Sequence, residues 1–314
     1  MHVAPGAAWT QRWRPASGGL GVAPCPRSGV RASPRAATGV AASSVSDHLA
    51  RPWVRNAAEQ EGWELEECEA VDGECRLPRG TRLWVYDLAP WNDVALHLLR
   101  CVTTSHPAVP VLLFVPTRTD VASLLVRCGS APCLTAEFQL RDREQVIRLR
   151  AAMRDLVRNA PGEVIGSTIV SLMPPDPNVA RFCRQAVAHL CYSKDQGALT
   201  VCSVSHDLHV GVRTLERACG DASLPPPKEM LDWITLLVAA YTAAATQTRT
   251  CRVAAYLGVD SQKLWRLRHR LLAPAFLREP GTSVREFERV LLGFADRCGI
   301  ARERANELAA HLVA

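Results

Sequence analysis

Two stretches of the chain dominate its interpretation: LTVCSVSHDLHVGVRTLERACG at residues 199–220 and TCRVAAYLGVDSQKLWRLRHRLL at residues 250–272. The spacing of apolar residues in each predicts a short helix, a tight turn and a second helix that carries arginines. Gly258 in the second stretch can adopt the positive φ that such a turn often needs, and His209-Val210-Gly211 occupies the corresponding place in the first. The sequence therefore predicts two helix-turn-helix units joined by one apolar helix.

The outer face of the second helix in each unit indicates which residues contact DNA. A helix that docks in the major groove buries apolar side chains, here Leu215 and Leu264, and turns polar and cationic ones outward. The predicted DNA-binding residues are Arg213, Thr214 and Arg217 in the first unit, and Gln262, Lys263, Arg266 and His269 in the second, with Arg249 and Arg252 as phosphate contacts. Arginine suits the O6 and N7 atoms of guanine and glutamine suits adenine, whereas phosphate contacts position a protein without specifying sequence.

The arrangement of the two units resembles the AraC/XylS-type DNA-binding domain. The matching pieces are VGVRTLERACGDASLPPPKEML (210–231), the linking helix WITLLVAAYTAAAT (233–246) and VAAYLGVDSQKLWRLRHRLL (253–272). The resemblance covers under a third of the chain, and it implies a bacterial-type transcription regulator whose units enter successive major grooves about 34 Å apart. Gly211-Val212 and His269-Arg270 depart from the family's pattern, so the resemblance does not identify the bases that are read.

The middle of the chain has the alternating strand and helix pattern of an α/β domain. Apolar runs predict strands at residues 63–68, 82–88, 109–116 and 134–140, and helical periodicity predicts helices at residues 92–101, 120–128 and 144–159. The continuous apolar run at residues 109–116 indicates a strand that is buried on both faces. This order of elements implies a parallel sheet with right-handed crossovers.

This middle segment, residues 47–158, resembles a response-regulator receiver domain, which implies a flavodoxin-like parallel sheet. Asp87 ends a predicted strand at the place of the family's phosphoacceptor, so it is the candidate phosphoacceptor; the alternative is a structural role as a cap. The family holds Mg²⁺ with clustered acids after its first strand, yet only Asp47 and Glu59 are acidic before residue 60. We therefore expect a degenerate receiver-like module that pairs two copies of the chain or holds a partner.

These patterns divide the chain into five parts. The predicted parts are a disordered basic arm (1–46), a receiver-like α/β domain (47–160), a linker (161–177), an all-α DNA-binding domain (178–273) and a C-terminal helical extension (274–314). Residues 178–273 contain twelve basic and seven acidic residues, and such an excess attracts phosphates. In the extension, Ser283 and Glu286 predict a capping box that opens a helix over residues 284–298. We expect this extension to pack on its own chain; the alternative is a partner surface.

Other function classes find little support in the sequence. The chain carries no P-loop, dinucleotide-binding, nucleophile-elbow or H-E-x-x-H motif, so we expect no enzyme, no cofactor and no metal. The absence of C-x₂-C pairs argues against a zinc site. Most cysteines lie among apolar residues, as reduced thiols do, which indicates a cytoplasmic protein, and no apolar run reaches the ~18 residues of a membrane span. The main hypothesis is a sequence-specific regulator that binds double-stranded DNA. The alternative is a protein-interaction module that binds no DNA, and the salt dependence of binding separates the two.

Overall fold

The N-terminal part of the fold is a five-stranded parallel β-sheet. The computed structural model describes residues 39–44, 51–68, 77–78, 80–87, 93–114, 133–136, 143–192, 199–272 and 282–313. The strands are β1 (Gly39–Ser44), β2 (Trp63–Glu67), β3 (Thr81–Asp87), β4 (Val111–Phe114) and β5 (Cys133–Ala136). They lie in the order β2-β1-β3-β4-β5, and each neighbouring pair is parallel. The prediction of a parallel sheet is confirmed.

Helices cover both faces of this sheet. They are α1 (Arg51–Gln60), α2 (Asp93–Ser105) and α3 (Arg143–Arg158). Alternate residues of a strand point to opposite faces, so Trp84 and Leu113 pack with α2 while Leu83 and Leu112 pack on the other face with α1 and α3. Burial on both faces explains why the sequence of β4 is an uninterrupted apolar run.

Strand β1 lies inside the segment predicted to be a disordered basic arm, and for residues 39–44 that prediction is wrong. The strand pairs with both β2 and β3, and Ala41 and Ala42 are fully buried. Apart from Val40 it consists of glycine, alanine and serine, so it has few of the β-branched and aromatic residues that are typical of strands. Residues 1–38 and 45–46 of the predicted arm, and the helix predicted at residues 120–128, lie outside the described residues.

The C-terminal part of the fold is helical. Its described helices are α4 (Pro161–Leu172), α5 (Pro177–Tyr192), α6 (Val201–Leu208), α7 (Val212–Asp221), α8 (Pro227–Thr246), α9 (Thr250–Tyr256), α10 (Ser261–Leu271), α11 (Ser283–Arg297) and α12 (Arg302–Val313). Ile165 and Ile169 of α4 are fully buried in the same core as the later helices. The prediction of a linker at residues 161–177 is therefore wrong over most of its length.

Helix α8 forms the centre of the helical core. It begins with Pro227 in its first turn, where the missing N–H costs nothing. It contacts helices on both sides of it in sequence, and Trp233, Ile234 and Leu237 are almost completely buried. Although α8 is apolar on most of its surface, no helix among the described residues combines the length and hydrophobicity that a bilayer span requires.

The extension packs on its own chain, as predicted. Phe294 of α11 lies 6.0 Å from Trp233, and Phe287 lies 5.1 Å from Tyr241, both measured between ring centres. The predicted capping box of Ser283 and Glu286 is wrong by one residue. Thr282 is the N-cap and its hydroxyl accepts a hydrogen bond from the N–H of Arg285, while the carboxylate of Glu286 instead accepts one from Arg268.

The sheet and the helical core contact each other through α2 and α9. The phenol of Tyr256, the last residue of α9, donates a hydrogen bond to the carbonyl oxygen of Cys191 at 3.1 Å. The ring of His106 lies edge-on to Tyr256, with 6.1 Å between ring centres. A second contact joins Arg82 of β3 to Glu163 of α4 at 3.3 Å. Through Tyr256, helix α9 therefore contacts α5 on one side and His106 on the other.

Candidate nucleic-acid interface

Two pairs of short helices flank α8, and they are the segments in which the sequence predicts DNA contacts. The first helix pair is α6 and α7; the second helix pair is α9 and α10. Leu215 of α7 and Leu264 of α10 are 1% and 4% exposed. Both residues therefore anchor the second helix of a pair in the core, as their spacing predicts, and leave the opposite face of that helix toward solvent.

The turns of the two pairs have the same backbone geometry. His209 and Gly258, 49 positions apart in sequence, both have positive φ, at 53° and 65°. In each pair the following valine, Val210 or Val259, donates its N–H to the carbonyl five residues earlier, at 3.1 and 2.9 Å. This is the hydrogen bond of a Schellman motif, which ends a helix and reverses the chain. Gly211 and Asp260 then occupy the N-cap positions of the second helices.

The structure exposes every residue that the sequence predicts as a DNA contact. The exposed residues are Arg213, Thr214, Arg217, Arg249, Arg252, Gln262, Lys263, Arg266 and His269. On α10, Gln262, Arg266 and His269 are separated by four and three positions, so they share one helix face. On α7, Arg213 and Arg217 are four positions apart and share a face in the same way.

Most cations on these helices fall into two groups, and Arg266, which lies 3.9 Å from the carboxylate of Asp260, belongs to neither. Arg268 pairs with Glu286, and Arg270 pairs with Asp232 of α8; these two side chains attach α10 to its neighbours. A second group has no ion pair with any other residue in the described part of the chain: Arg213, Arg217, Arg249, Arg252 and Lys263. Their charge is not neutralised by a described carboxylate, so it is available to a phosphate or a base edge.

Trp265 is a residue of this surface that the sequence reasoning missed. It is 59% exposed, although it is one of the largest apolar side chains in the chain. Its ring lies against that of His269, with 4.1 Å between centres and an angle of 45° between planes. The predicted contacts are cationic residues, histidine and the polar residues Thr214 and Gln262, and tryptophan was not among the residue types considered. The available signal was an aromatic residue on the polar face of an amphipathic helix.

Asp87, the candidate phosphoacceptor, is the last residue of β3 and lies in register with Phe114 of β4. The strand order reverses between β1 and β3, and clefts at such points bind ligands in open α/β sheets. On the other side of β3, β1 ends in Ser43 and Ser44, and Ser44 accepts a hydrogen bond from Trp84. Among the described residues at this end of β1, hydroxyls stand where a magnesium site would need carboxylates.

Comparison of the chain with family models, with curated proteins and with solved structures finds no match.

Proposed function

We propose that the chain is a sequence-specific DNA-binding protein in which the two helix pairs are helix-turn-helix units that read successive major grooves. The observation that carries the proposal is the repeated turn at residues 209 and 258, which presents exposed cations on the second helix of each pair. Under this proposal the two units, joined by one buried helix, read half-sites that lie about 34 Å apart on one face of the duplex.

Each helix pair has its own part in the proposal. Arg213, Thr214 and Arg217 of α7 enter one groove, and Gln262, Lys263 and Arg266 of α10 enter the next, with His269 beside them. Arg249 and Arg252 lie at the start of the second pair and contact phosphates, which position the protein without reading sequence. The resemblance to AraC/XylS-type domains supports a role in transcription regulation.

The test is selection of DNA by the full-length protein. Purified protein is mixed with sheared genomic DNA from the source organism, retained fragments are sequenced, and affinity is measured at several salt concentrations. The expected result is a shared bipartite site with half-sites about one turn apart and an affinity that falls log-linearly with salt. Arg55→Ala is the control for a general loss of positive charge, because it removes an exposed arginine of α1 that pairs with Glu67. This variant is expected to retain the same DNA site as the wild type. Absence of retention at any salt would instead support the protein-interaction module.

The sheet contributes a second part to the proposal. Its strand order is that of flavodoxin-like folds, a group that includes receiver domains. We propose that this part is a degenerate receiver-like module that pairs two copies of the chain or holds a partner. Because β1 ends in hydroxyls and not in the carboxylates that hold Mg²⁺, phosphorylation of Asp87 is not expected. Asp87→Asn is therefore expected to leave DNA affinity unchanged in the presence and absence of a small phosphodonor. A clear change with the phosphodonor, absent in the variant, would establish Asp87 as a phosphoacceptor.

A further inference from the structure

The exposed indole of Trp265 has no explanation in the packing of the helical core. The core-facing residues of α10 are Leu264 and Leu267, both at most 5% exposed. Trp265 follows Leu264 by one position, so it points about 100° away around the helix axis. Exposing an apolar side chain of this size to water costs free energy, and contact with another molecule would recover it.

The neighbours of Trp265 identify the kind of molecule. Arg266 follows it directly and Lys263 precedes it by two positions, and Arg266 is near only one described carboxylate, that of Asp260 at 3.9 Å. Gln262 and His269 lie one helical turn away on either side, and all of these side chains are exposed. A surface with a single apolar group among cations and amides is complementary to the floor of a DNA major groove. There the thymine C5-methyl is the apolar group of the base edges, and the remaining groups are polar.

We infer that Trp265 determines specificity by covering the methyl group of a thymine in the half-site that α10 reads; this inference rests on the proposed function. The contact of Trp265 with His269 limits the orientations of the indole, so less conformational entropy is lost when a base is contacted. The equivalent residue of α7, 49 positions earlier, is Glu216, which is also exposed. A carboxylate accepts a hydrogen bond from cytosine N4 and gains nothing from a methyl group. The two half-sites are therefore unequal, and only one of them depends on this methyl group.

The experiment deletes the methyl group from DNA and the indole from the protein. In the enriched site, each thymine is replaced in turn by deoxyuridine, which differs only by the methyl group, and affinity is measured for the full-length wild type and for Trp265→Ala. Burial of one methyl-sized group corresponds to about a fourfold change in affinity. For the wild type, the expected result is this loss of about fourfold at one thymine of one half-site. For Trp265→Ala, no further loss of affinity is expected at that thymine.

Controls separate this contact from general effects. Ile147→Ala removes another exposed apolar side chain, 59% exposed on α3, and is expected to respond to deoxyuridine as the wild type does. Trp265→Leu keeps an apolar surface and is expected to retain part of the discrimination. Circular dichroism of each variant verifies folding, which is expected to be intact because the residue is exposed.

The outcomes distinguish the inference from the proposed function. If the wild type enriches a site but tolerates deoxyuridine at every position, Trp265 does not read a methyl group and the inference fails alone. The inference also fails alone if the site has no thymine, or if Trp265→Ala and the wild type lose the same amount of affinity at the same thymine. If the wild type enriches no site, the proposed function fails and the inference fails with it.

Discussion

The two helix pairs build the same turn from different residues. At the position with positive φ the first pair has His209 and the second has Gly258. At the N-cap of the second helix the first pair has Gly211 without a side-chain cap, whereas the second has Asp260, whose carboxylate accepts a hydrogen bond from the N–H of Gln262 at 3.0 Å. The second pair thus has a favourable residue at both positions, whereas the first pair forms the same turn without glycine at the positive φ and without a side-chain cap.

This difference shows that no single residue of the turn determines its geometry. A left-handed conformation costs a non-glycine residue about 1–2 kcal/mol, so His209 must be stabilised by its surroundings. The hydroxyl of Ser205 donates a hydrogen bond to the carbonyl of Val210 across this turn, and Thr200 and Ser203 form a capping box at the start of α6. The second pair needs fewer such contacts because Gly258 adopts the conformation without strain.

The largest expected effects concern the buried leucines that anchor the two pairs. Leu215→Ala and Leu264→Ala are each expected to lower the free energy of unfolding by about 2–5 kcal/mol, because each leaves a cavity in a shared core. Urea or guanidinium denaturation measures both. Ile147→Ala, at an exposed site, is the control and is expected to change stability by less than about 0.5 kcal/mol. A large loss for Leu215→Ala beside none for Leu264→Ala would show that the second pair unfolds separately.

The next comparison uses equivalent arginines. Arg217→Ala and Arg266→Ala are each expected to weaken binding to the enriched site by about 1–3 kcal/mol, since under the proposed function each removes a cation that reaches a base edge. Gel-shift or anisotropy titration measures the loss, and base substitutions in each half-site assign it. Unchanged affinity in both variants, with Arg55→Ala also unchanged, would remove these arginines from the interface.

Replacing the turn residues by alanine sharpens the comparison further. Gly258→Ala is expected to cost about 1–2 kcal/mol of stability because alanine is strained at this φ. His209→Ala places alanine where a non-glycine residue already stands, so a change within about 0.5 kcal/mol is expected. Thermal unfolding followed by circular dichroism compares the two variants. Equal losses would mean that the side chain of His209, and not the backbone conformation, stabilises the first turn.

The smallest expected effect concerns the contact between Tyr256 of α9 and His106, which follows α2. Burial lowers the pKa of His106, which lies against Tyr256, below its usual value near 6.5. The unfolded chain therefore binds this proton first as pH falls. The stability due to neutral His106 is fully present above about pH 6.5 and is lost as pH falls through the lower folded-state pKa. Stability measured from pH 8 to pH 5 is expected to fall less steeply in His106→Gln than in the wild type, and identical slopes would contradict this assignment.

Much of the fold was predictable because its signals are local. The strands of the sheet other than β1 have apolar runs or alternating patterns, and α6 to α10 lie where turn residues and helical periodicity place them. Strand β1 was missed because Ala41 and Ala42 are too small to produce an apolar run. Helix α4 was taken for a linker because Pro161 and Gly162 open it, although proline is favourable in the first turn of a helix.

The candidate site was predictable in part. Exposure follows from helical periodicity, so the position of each cation relative to Leu215 and Leu264 could be derived from the sequence. The ion pairs of these cations could not be derived from the sequence. Asp232 is distant in sequence from Arg270, and Glu286 from Arg268, and they meet only through the packing of α8 and α11. The contact of Trp265 with His269 is local, at a separation of four positions, and was missed only because aromatic residues were not considered as DNA contacts.

The length and burial of α8 have a consequence for the evolution of binding sites under the proposed function. A helix of 20 residues is about 30 Å long, and α8 is held by neighbours along that length, so it is a rigid spacer. A single base pair inserted between the half-sites would rotate one relative to the other by about 35°, and this spacer cannot follow. Single bases of a target promoter can therefore change by mutation one at a time, whereas the helical phase between its half-sites cannot change without loss of binding.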